Sequence, residues 1–253
     1  MAVVALHTLL RREVIRFSRI WIQTLIPPTI TMALYFVVFG NLIGSRIGEM
    51  GGFSYIQYIV PGLIMMAIIT NTYTNVVSSF FSAKFQRHIE ELLASPTPNY
   101  VILLGFVGGG MARGLMVGCL VTLVAFAFTP LELAHLEITV LVALLTSALF
   151  ACAGLINGVF ARTFDDTSIV PTFVLTPLTY LGGVFFSIDL LPEFWQGVSL
   201  LNPILYMVNA FRFGILGVTD IDVSVALGII GLFVVVLFSF ALWLLHKGIG
   251  LRS

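Results

Sequence analysis

Long apolar runs, parted by short polar stretches, dominate this chain. A helix needs about 20 residues to cross a hydrocarbon core roughly 30 Å thick. Six runs reach that length, at roughly 22–43, 57–82, 100–128, 137–161, 168–187 and 223–246. Ahead of them, Leu6, Leu10, Val14, Phe17 and Trp21 recur at helical spacing, with Arg12, Arg16 and Arg19 on the other face. That pattern predicts a helix over 1–21 lying in the membrane interface, arginines toward anionic headgroups. A plain orientation signal ahead of the first span is the simpler alternative. Pro27 and Pro28 mark the bend into the membrane.

Two connections carry patterns of their own. Over 84–95, Phe85, Ile89, Leu92 and Leu93 form an apolar stripe among Lys84, Arg87, His88, Glu90 and Glu91. Ser95-Pro96-Thr97-Pro98 then ends the predicted short helix. An exposed stripe needs a cover, and both a soluble partner and the protein's own inner surface satisfy the pattern. The connection at 188–212 holds Leu190, Leu191, Phe194, Trp195, Leu200 and Leu201. Asn202-Pro203 reads as a helix N-cap followed by a first-turn proline. The pattern predicts a hairpin of two short helices dipping back into the outer leaflet, tolerated where protein buries its irregular backbone.

Composition agrees with a single all-α membrane domain over 1–253. The chain is 59% hydrophobic and 9% charged, where soluble proteins carry about a quarter charged residues. Net charge is +0, which argues against nucleic acid as a partner. Cys119 and Cys152 lie in apolar runs and are expected to be buried, inert thiols. The arginine-rich start lacks the small-residue site of a cleaved signal peptide. Of the twelve Lys and Arg, Arg11, Arg12, Arg16, Arg19, Lys84, Arg87, Arg162, Lys247 and Arg252 share one side if the N-terminus is cytoplasmic. Arg46 and Arg212 fall on the other side, and Arg113 lies within a span. The excess predicts both termini inside.

Reactive chemistry is missing at depth. No Asp or Glu falls in a proposed span, and His7, His88, His135 and His246 lie at span ends or in loops. This disfavours intramembrane proteases, and no catalytic or metal-binding residue is expected. The chain contains no GxxxxGK[ST] loop and no Gly-Lys dipeptide. If transport is ATP-driven, ATP and Mg are bound by another chain. What remains is polar and uncharged. Asn71, Asn75, Ser78 and Ser82 share one face of the second span, and Thr172, Thr176 and Thr179 one face of the fifth. They line a translocation path or hold helices together. Gly110, Gly114 and Gly118 form a small-residue stripe suited to close helix packing. Arg113, about 15 residues past Pro98 and so roughly 22 Å along a helix, is a path candidate. It is equally suited to tying down helix-end carbonyls.

The run Tyr180-Leu181-Gly182-Gly183-Val184-Phe185-Phe186-Ser187, then Leu191-Pro192-Glu193-Phe194-Trp195, resembles the fifth-span exit of ABC-2 type permeases. Leu201-Asn202-Pro203-Ile204-Leu205-Tyr206, continuing to Arg212, resembles that family's outer Asn-Pro element. The likeness is greatest to the YadH-like bacterial inner-membrane permeases and covers essentially the whole chain. It implies a type V exporter-like fold of six spans with a cytoplasmic coupling helix. It further implies two permease copies over two copies of an ABC ATPase. Phe85, Arg87, Ile89, Glu90, Glu91 and Leu92 would then couple to the ATPase. Asn202, Pro203, Tyr206 and Arg212 would belong to an outer gate, and 1–21 would be the elbow helix. The family expels amphipathic, lipid-linked or drug-like molecules. The alternative, an ion-coupled carrier or channel, would want an acid, histidine or lysine at the midplane, and only Arg113 is available.

Overall fold

The computed structural model describes residues 2–251, apart from the side chains of Asn41 and Ser45; Arg252, expected on the inner side, lies outside the described residues. The fold is almost wholly helical. Helix α1 (Ala2–Arg19) leads into a broken first span, α2 (Trp21–Thr24) and α3 (Ile26–Tyr35), a π-helical stretch (Phe36–Ile43), and α4 (Gly44–Ile47). A small hairpin of β1 (Glu49–Met50) and β2 (Phe53–Ser54) turns the chain into α5 (Tyr55–Phe85). The short α6 (His88–Ala94) precedes α7 (Asn99–Ala125) and α8 (Leu136–Phe160). Next come α9 (Asp166–Val170), a π stretch (Pro171–Leu175) and α10 (Thr176–Tyr180). The outer connection holds α11 (Glu193–Leu200) and α12 (Pro203–Leu216), and α13 (Val223–Lys247) closes the chain.

Five helices are long and apolar enough to cross a membrane: Trp21–Gly40, α5, α7, α8 and α13. The pair α11 and α12, bent by 90°, counts as a sixth broken or re-entrant element. The expected fifth span differs from its prediction. It is helical only through three five-residue stretches ending at Tyr180, about 22 Å at 1.5 Å per residue. Gly182 and Gly183 end it. Gly183 takes φ +71°, open to glycine at little cost. A side chain at Gly182 would meet Ile204 at 2.8 Å, and one at Gly62 of α5 would meet the Val184 carbonyl at 2.7 Å. The turn is therefore wedged between α5 and α12.

Helix α5 is the hub. Its apolar window is 83% buried, against 17% for α13 and 22% for Trp21–Gly40. The glycine stripe of α7 lies on it as expected: Gly118 faces Ile68, Gly114 faces Thr72 and Gly110 faces Val76. Gly154 of α8 approaches the Tyr73 carbonyl from another side, 2.7 Å from where its Cβ would stand. Such glycines let backbones approach closely where no side chain would fit. Cys152 is buried, but Cys119 is exposed on the outside of α7, contrary to expectation.

Candidate functional site

Helix α1 packs along α7. A second glycine set on α7 receives it: Leu9 sits over Gly105, Leu10 over Gly108 and Glu13 over Gly109. The residues it buries are Leu9, Glu13 and Phe17. The expected stripe of Leu6, Leu10, Val14, Phe17 and Trp21 is thus off by part of a turn, and Trp21 is exposed. Two of the arginines have a partner that the spacing did not predict. Arg12 and Arg16 both pair with Glu13 at 3.2 Å, and Arg12 lies 5.4 Å from the Phe106 ring centre. A buried carboxylate draws them inward, because an unpaired charge there would be costly.

Glu13 also accepts from the Ser79 hydroxyl at 2.6 Å. Arg16 donates on to the Asn75 side-chain oxygen at 2.8 Å and backbone carbonyl at 3.3 Å, and Ser78 donates to that carbonyl at 3.1 Å. Arg113 of α7 donates to the Asn71 oxygen at 3.5 Å and the Thr24 carbonyl at 3.3 Å. Thr24 needs that bond, since its helical donor would be Pro28, which has no N–H. Arg113 thus stitches the proline break of the first span to α5. The structure brings Asn71, Asn75, Ser78 and Arg113 into one polar corner between α1, α5 and α7. It does not bring the threonines there. Thr172 and Thr176 are exposed, and Thr179 is buried with its hydroxyl on the Leu175 carbonyl at 2.6 Å. The π stretch is the cause: Thr176 bonds back five residues to Pro171, so the register of the face slips.

The segment 84–95 is not one helix. Helix α5 runs on through Phe85, the chain turns at Gln86 and Arg87, and α6 starts in a new direction. Arg87 takes φ +62°, the one positive φ outside glycine among the described residues, at a cost of about 1–2 kcal/mol. The predicted stripe is split by this corner. Phe85 is 65% exposed, whereas Ile89 is 1% exposed, packed with Ala83, Ile102, Leu103 and Leu251. Leu92 and Leu93 are half-buried against the same cluster. Arg87, Glu90 and Glu91 stay exposed. Lys84 anchors the corner by donating to the Val159 and Ala161 carbonyls at 2.6 and 2.8 Å, where a cation suits the end of α8. Phe85, Arg87, Glu90, Arg162 and Ile249 help line a cleft of about 580 Å³ beside it.

At the opposite end, Asn202 caps α12 through Ile204 N at 3.0 Å and donates to the Leu178 carbonyl at 2.6 Å. Pro203 starts the helix, and Tyr206 donates to the Leu200 carbonyl at 2.8 Å. Arg212, expected in an outer loop, is wholly buried. It donates to the Gly183 carbonyl at 2.5 Å and to the Tyr58 carbonyl at 3.4 Å, with its guanidinium 4.0 Å from the Tyr58 ring centre. Asn209 and Asp220 complete this clamp, the Asn209 oxygen accepting from Arg212 at 3.5 Å and from Asp220 N at 3.1 Å. The clamp was hidden in the sequence because nothing local marks Gly183 as its acceptor. The outer hairpin has the expected bent form. Its Leu190, Phe194, Trp195 and Leu201 are exposed on the surface of this chain.

The ABC-2 type transporter family matches residues 4–216, from the first turn of α1 through the last residue of α12. The chain belongs to that family. It is 59% identical to the inner membrane transport permease YadH of Escherichia coli (strain K12), over 99% of this chain and 98% of the relative. It is 24% identical to nodulation protein J of Rhizobium leguminosarum bv. trifolii over 94% of this chain and 91% of that protein, and 23% identical to its counterpart in Rhizobium meliloti (strain 1021) over the same shares. Membership makes this an ABC transporter permease, a multi-pass membrane subunit rather than an enzyme in its own right.

Proposed function

We propose that this chain is the permease half of an ATP-driven exporter in the bacterial inner membrane. It would move an amphipathic, lipid-linked or drug-like substrate outward. A separate ATPase chain would bind and hydrolyse ATP with Mg, two copies of it working beneath two copies of the permease. Both termini would be cytoplasmic, on the side where lysine and arginine are in excess. The observation that carries the reading is the corner at Phe85–Arg87 on a chain of this family. An exposed aromatic, a strained arginine and two exposed glutamates are held by a buried anchor, Ile89. Strain that persists at an exposed corner points to use by a partner.

The anchor's burial reassigns the roles within the coupling segment. Phe85 supplies the apolar contact to the ATPase, with Arg87, Glu90 and Glu91 around it, while Ile89 and Leu92 hold the corner to the permease. The test is co-purification of the ATPase with permease variants, together with substrate-stimulated ATP hydrolysis. Phe85→Asp is expected to fold and insert but to lose the ATPase or its stimulation. Glu91→Ala is expected to do less, chiefly altering the salt dependence of association. Normal assembly and normal transport in Phe85→Asp would sink the coupling assignment.

A further inference from the structure

We propose that the polar corner between α1, α5 and α7 is a binding site for the phosphate of an anionic lipid headgroup. Arg12, Arg16 and Arg113 meet there, and the one carboxylate present, Glu13, pairs with only the first two. Among the described residues Arg113 has no ion pair, and it bonds Asn71, one turn of α5 from the Asn75 that holds Arg16. Two positive charges are therefore left uncompensated, with Arg12 and Arg16 partly open to solvent and Arg113 half-buried behind them.

Unmet hydrogen bonds point the same way. Asn75 is wholly buried; its oxygen is taken by Arg16, and its amide nitrogen has no partner. The Nε of Arg113 is also buried and unpartnered. Both orphans are pure donors. A water would accept from them but would leave the charge standing. A phosphate oxygen meets both needs, and arginine is the side chain best matched to phosphate.

The surroundings select a lipid over a soluble phosphate. Exposed Ile20, Trp21 and Ile22 follow directly on α1, beside exposed Arg19. Exposed apolar and aromatic groups next to cations are the mark of a segment seated at the headgroup level. The site stands apart from ATPase coupling, so it is read on the permease alone.

The experiment uses the full-length permease in mild detergent, with lipid retention read by native mass spectrometry and thermal unfolding followed in parallel. The probes are phosphatidylglycerol, phosphatidylcholine and inorganic phosphate. Phosphatidylglycerol is expected to be retained and to raise Tm, with phosphatidylcholine and inorganic phosphate giving little. Arg113→Gln is expected to weaken retention roughly tenfold, as loss of a charge-assisted contact implies. Asn75→Asp places a carboxylate against Arg16 at nearly the same volume. It is expected to fold without lipid and to lose the phosphatidylglycerol shift. If Arg113→Gln fails to fold, Asn75→Asp decides alone. Wild-type retention in Asn75→Asp, or an equal shift from inorganic phosphate, would overturn the lipid assignment.

Discussion

Single buried charges define this molecule more than their number suggests. Arg212 spends its donors on two backbone carbonyls and its face on Tyr58, so lysine cannot replace it in kind. Arg212→Lys is expected to lower Tm, and Arg212→Ala to cost on the order of 3 kcal/mol, from the stranded Gly183 carbonyl and the lost ring contact. Unfolding in detergent measures both, and equal Tm values would refute the clamp. Glu13 makes a parallel case. Glu13→Ala leaves the Ser79 hydroxyl without its acceptor and Arg16 with only its Asn75 acceptors, and is expected to destabilise α1 docking more than Glu13→Gln does. Arg16 is partly exposed, so solvent moderates the effect. The burial of neither is written in the local pattern, although the family resemblance singles out Arg212 for the outer gate. Glu13 sits among arginines and reads as a solvated charge, and Arg212 lies in a segment whose pattern says outer loop. Long-range partners decided both, and periodicity holds no record of partners 29 or 66 positions away.

At the scale of elements, sequence reading succeeded where length and glycine spacing carry the information. The long helices and the Gly110–Gly114–Gly118 stripe followed directly from them. It failed where backbone turns break a pattern: at Arg87, which splits Phe85 from Ile89, and at the π stretch that scatters Thr172, Thr176 and Thr179. Ile89→Asp buries a carboxylate in an apolar cluster and is expected to destabilise the permease itself, seen as lower Tm before any ATPase is added. A wild-type Tm would show that the anchor is misassigned. The outer hairpin offers Phe194 at 73% exposure and Leu201 at 84% with no cover from this chain. Lipid or a second permease copy is expected to cover them. Cysteines placed there should label slowly with a charged, impermeant maleimide in membranes. Labelling as fast as at Glu49 would count against that cover.

For the whole molecule, burial is lopsided. Helix α5 is enclosed, while the first span, α9–α10 and α13 present apolar faces outward. The first span and α10 already touch, through the Tyr35–Tyr180 hydroxyl pair at 3.0 Å and through the Phe185 ring, which stacks on Tyr180 and packs against Tyr35 and Phe39. They form one continuous surface suited to a second copy. Cysteines at Val37 and Phe173 are expected to cross-link between copies in native membranes; only monomeric species would refute a dimer through this face. The docking of α1 has a further consequence, for synthesis. Its seat is Gly105, Gly108 and Gly109, which emerge nearly a hundred residues later, roughly 5–20 s at bacterial elongation rates. Until Ser79 is made, Glu13 has only its neighbours Arg12 and Arg16 to hold it, and its glycine seat comes later still. The first helix made is thus among the later ones to be locked in place. A nascent chain halted before Asn99 should leave α1 open to protease, and one released after Ala125 should protect it.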